Sequence, residues 1–108
     1  MRLDDEADEV RSAVDDLALR CACLDEWRAA DARMCTVMQT AQQQLAALQR
    51  RMTELVKSSQ PGWSWFATLA RARELHELLD DLRVLEICVR SRIFELETDD
   101  DQRYEATR

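Results

Sequence analysis

The chain has 108 residues, 46% of them hydrophobic and 34% charged, with one glycine, one proline and a formal net charge of −7. So few turn formers predict an elongated all-α domain and leave no basis for a hairpin-built β protein. The acidic balance argues against direct nucleic-acid binding, since phosphate contact needs a basic footprint.

The first residues, "MRLDDEADEV", are acidic where a signal or transit peptide would be basic and then apolar. No apolar run approaches the 18 or so residues of a membrane-spanning helix. A cytoplasmic or nuclear protein is expected, and membrane contact is not the favoured mode.

From Leu3 to Lys57 the chain contains neither glycine nor proline. This permits one continuous helix of roughly 80 Å at 1.5 Å per residue. Leu3, Ala7, Val10, Val14, Leu17, Cys21 and Leu24 alternate steps of four and three, the seam of a coiled coil. A second series, Met34, Met38, Ala41, Leu45, Leu48, Met52 and Leu55, has the same alternation in a different register. The offset amounts to a stammer over "DEWRAADAR", where Trp27 continues the apolar row and Asp31 interrupts it. With no helix breaker there, a single helix over residues 3–57 is the expectation, and a break near Ala30 into two helices is the alternative.

Residues 58–63, "SSQPGW", form the expected turn, because Pro61 lacks a donor and Gly62 accommodates positive φ. Ser64 is a candidate N-cap for a second helix over residues 64–98. Its apolar residues, from Leu69 to Leu96, cover a stripe too broad for a two-stranded seam, with Trp65, Phe66, Cys88 and Phe94 flanking it. The tail, residues 99–108, is polar and acidic and is expected to fray.

Two long helices joined by so short a turn predict an antiparallel helical hairpin, or three helices if the first breaks. In the two-helix form the first helix outruns the second by about 30 Å. Its N-terminal seam would then need a partner to cover it. The seam residues Val10, Val14, Leu17, Cys21, Leu24 and Trp27 are accordingly the leading interface candidates. Second are the tip aromatics Trp63, Trp65 and Phe66, within a basic block of Arg50, Arg51, Lys57, Arg71 and Arg73. Charge is segregated: residues 46–75 hold five bases and two acids, while residues 1–45 and 76–108 each hold ten acids and five bases.

Enzymatic signals are missing from the pattern. Acidic pairs such as Asp15-Asp16 and Asp80-Asp81 diverge by about 100° on a helix. His76, the one histidine, has no serine or cysteine spaced to work with it and is expected to pack at the stripe's edge. Cys21, Cys23, Cys35 and Cys88 read as reduced, mostly buried thiols in a chain unlike a disulfide scaffold. No metal, cofactor or catalytic residue is assigned.

The expected function is therefore that of a non-enzymatic coiled-coil scaffold subunit, docking with other α-helical subunits or with itself. A self-contained three-helix adaptor that binds a peptide or basic surface through its acidic faces is the alternative. A hairpin that touches membranes through its aromatic-basic tip comes third.

Overall fold

The computed structural model describes residues 2–58 and 62–106. It is all-helical over these residues, with α1 at Leu3–Leu19, α2 at Leu24–Lys57 and α3 at Trp63–Ala106. The chain is a rod of 71 × 22 × 17 Å with a radius of gyration of 19.2 Å. A compact chain of this length would have a radius near 13 Å.

The first helix is not continuous to Lys57. It breaks at Arg20–Cys23, immediately before the stretch "DEWRAADAR" and not near Ala30. Cys21 takes φ 51°, the left-handed conformation usually left to glycine. The Ala22 N–H reaches back to the Leu17 carbonyl at 3.1 Å, closing a Schellman-type turn. Ala22 and Leu17 are both buried, which supplies the apolar contact such turns favour. On the far side, Cys23 caps α2 through a capping box with Glu26, whose carboxylate accepts the Cys23 N–H at 3.3 Å. Arg20 ties the two sides together, meeting Asp16 at 2.7 Å and Glu26 at 3.4 Å. The change of register is therefore absorbed by a corner.

The corner turns α1 back along α2, where Arg33 meets Glu9 at 2.6 Å. Against α3 it runs in the same direction as that helix: Arg71 reaches Asp4 at 3.1 Å and Arg11 reaches Asp81 at 3.5 Å. The main packing is α2 on α3, antiparallel, with Arg28 and Glu97 paired at 2.8 Å near the end away from the tip.

The apolar face of α1 (Leu3, Ala7, Val10, Val14, Leu17) closes over α2 and α3. From α2 the core takes Trp27, Met34, Val37, Met38, Ala41 and Leu45, and from α3 Ala72, Leu75, Leu79, Leu82 and Val89. Asp31, which interrupts the α2 row, is half-buried and faces Arg90 at 3.7 Å, itself held by Glu86 at 3.4 Å.

Three further expectations are corrected. The second helix starts at Trp63, one residue before Ser64, and the Gly62 carbonyl takes the N–H groups of Trp65 (3.1 Å) and Phe66 (3.4 Å). Gly62 does not have positive φ. The helix then passes Thr98 and continues through the acidic tail to Ala106, since no breaker intervenes and extending a formed helix is far easier than nucleating one. Ser59, Gln60, Pro61 and residues 107 and 108, parts of the expected turn and tail, lie outside the described residues.

Candidate protein-interaction surfaces

The expected N-terminal seam is not available as an interface. Val10, Val14, Leu17 and Trp27 are buried inside the chain's own core, and Leu24 is half-buried. Cys21 is exposed, but at the corner and not on a helical seam. The reason is the break: once α1 folds back, the overhang that would have left the seam bare does not form.

Apart from Leu19 at the end of α1 (85% exposed), the large exposed apolar side chains fall in two groups elsewhere. One is on the outward face of α3, where Val84 (64% exposed), Ile87 (66%) and Phe94 (70%) stand three and seven residues apart, with exposed Cys88 beside them. These positions share a helical face roughly opposite the one that carries Leu75, Leu79, Leu82 and Val89 into the core. The broad α3 stripe from Leu69 to Leu96 is buried or half-buried, against α1 and α2, and the outward residues Val84 and Ile87 lie apart from it. Val84 and Ile87 are the residues that a single-seam reading misses, and their heptad spacing with Ser91 and Phe94 is the signal that finds them.

The second group is the hairpin tip. Trp63 is 86% exposed, Phe66 and Val56 are exposed, and Trp65 is half-buried with its ring edge-on to Phe66 at 5.2 Å between centroids. Between the end of α2 and the start of α3 lies a trough of about 590 Å³ whose walls are almost wholly apolar, formed by Met52, Val56 and Trp65 with Gln49, Thr53 and Lys57 at its margin. The Trp65 indole nitrogen is covered and has no hydrogen-bond partner among the described residues.

Of the five predicted tip cations, Arg71 is committed elsewhere. Its pKa is raised, first by the hydrogen bond to Glu74 at 2.9 Å and then by Asp4, against an opposing effect of burial. Arg50, Arg51, Lys57 and Arg73 have no carboxylate partner among the described residues.

The remaining candidates are surface groups. His76 is exposed instead of packed at the edge of the stripe, as are Cys21, Cys23 and Cys88, while Cys35 is half-buried. No group of three or more His, Cys, Asp or Glu among the described residues is placed to hold a metal ion, and no described helix is long and apolar enough to cross a membrane. No protein family, curated protein or solved structure matches the chain.

Proposed function

We propose that the protein is a non-enzymatic helical assembly subunit that docks a helix of another subunit, or of a second copy, against the outward face of α3. One observation carries this reading. Val84, Ile87 and Phe94 are large, exposed and in heptad spacing on a helix whose opposite face is already buried. A helix that is apolar on both sides is normally covered on both. Large apolar side chains lined up on one face of a highly charged surface mark a protein contact.

Replacing Val84, Ile87 and Phe94 together by serine tests the reading, because exposed positions change without large loss of fold stability. The wild-type chain, purified from its native cells, should elute as a complex or an oligomer by light scattering, and the triple variant as a folded monomer. A wild-type chain that runs as a monomer, or a triple variant that keeps the partners and oligomeric state of the wild type, would sink the proposal.

A second reading has an observation of its own. The corner makes α1, α2 and α3 close over a shared core, which favours a self-contained adaptor that recruits a basic peptide through its acidic surface. Affinity falling steeply with salt would favour the adaptor, whereas burial of the α3 face is weakly salt-dependent.

A further inference from the structure

Separately from the α3 face, we infer that the hairpin tip is a docking trough for an acidic amphipathic helix of a partner protein. Along the body of the rod, every arginine from Arg11 to Arg33 and from Arg83 to Arg92 has a carboxylate within 4.0 Å. At the tip the pattern stops. Arg50, Arg51, Lys57 and Arg73 stand unpaired among the described residues, although the chain as a whole carries seven more acids than bases. Glu54 is the one acid on the adjoining stretch of α2, from Ala46 to Lys57.

Of these cations Lys57 borders the apolar trough of Met52, Val56 and Trp65, which runs over the two turns between Gln49 and Lys57. A groove with an apolar floor and charged margins takes an amphipathic helix, apolar face down and flanks against the charges. Lys57 is the one charged group at the trough's margin and no acid lines it, and Arg50 follows Gln49 on the same helix, so the matching flanks are acidic. Methionine on the floor suits a surface that adapts to different side chains.

The net charge of −7 opposes approach to anionic lipid. A second copy fits less well too, because acids on its body, among them Asp4, Glu9, Asp16 and Glu97, already hold arginines.

The test uses the full chain and labelled synthetic helices of about 16 residues, four to five turns. All share one leucine and isoleucine stripe, with glutamate flanks in one set and lysine flanks in the other. Fluorescence anisotropy should show the glutamate set binding at least about tenfold more tightly. Arg50→Glu with Lys57→Glu and Arg73→Glu should reverse that preference. Met52→Ser with Val56→Ser should weaken both sets, with helicity by circular dichroism confirming that each variant is folded.

Equal binding of the two sets, or no binding, would overturn the inference. Binding to phosphatidylserine-rich vesicles without peptide binding would overturn it in favour of lipid. Concentration-dependent self-association abolished by the three charge reversals would overturn it in favour of a second copy.

Discussion

The two ends of the rod are built differently although the same two helices run through both. Toward the corner, three helices enclose Val10, Met34, Ala41, Leu79, Leu82 and Val89, and ion pairs bridge α1 to both neighbours. Toward the tip, α2 past Leu45 and α3 before Ala72 contribute no fully buried apolar side chain, and Leu48 and Met52 are only partly covered. The difference comes from α1, which supplies a third wall to one end and not to the other. A two-helix layer cannot shield both of its sides, so its stability is lower and its surface is free for other contacts. A third wall and an open flank are thus divided along the length of a single hairpin.

Substitutions that probe this division should range widely in effect. Leu79→Ala, in the three-helix part, should cost about 2–5 kcal/mol in urea unfolding, whereas Met52→Ala should cost under about 1 kcal/mol. Near-equal losses would mean that the tip is as well packed as the core. Next comes the corner. Glu26→Ala removes the reciprocal half of the capping box and should lose about 1 kcal/mol by the same measurement.

Cys21→Gly should work in the opposite direction and stabilise the chain by up to about 1 kcal/mol, since glycine relieves the left-handed strain at φ 51°. A loss of stability there would contradict the turn geometry. The smallest effect belongs to the surface pairs. Arg33→Ala, which releases Glu9, should change stability by about 0.2–1 kcal/mol, and less in high salt.

The helical class and the hairpin were legible because glycine and proline occur once each, together, and because the apolar spacing repeats in heptads. The corner was not placed correctly, for a physical reason. It is made without the residues that normally announce a helix end: a cysteine occupies the glycine position of the Schellman turn, and another cysteine stands where a capping box usually has serine or threonine. The trace it did leave is the phase slip at Cys21, Leu24 and Trp27, two successive steps of three, which lies at the corner and not at Ala30. That displacement moved the candidate interface as well. With the first helix assumed straight, Val10, Val14 and Leu17 lacked cover; with it folded, they are core. The basic, aromatic tip was readable from local composition alone, but which of its cations are unpaired depends on contacts such as Arg71 with Asp4, 67 residues apart.

The placement of the three tryptophans gives each end of the rod its own optical signature. Trp27 is sealed in the core and should emit at short wavelength, out of reach of a soluble quencher such as acrylamide; Trp63 stands in water and should emit to the red and be quenched readily. A spectrum recorded during unfolding therefore separates into two colours: the short-wavelength part follows the opening of the core around Trp27, and the Trp63 part, already in water, stays as an internal reference.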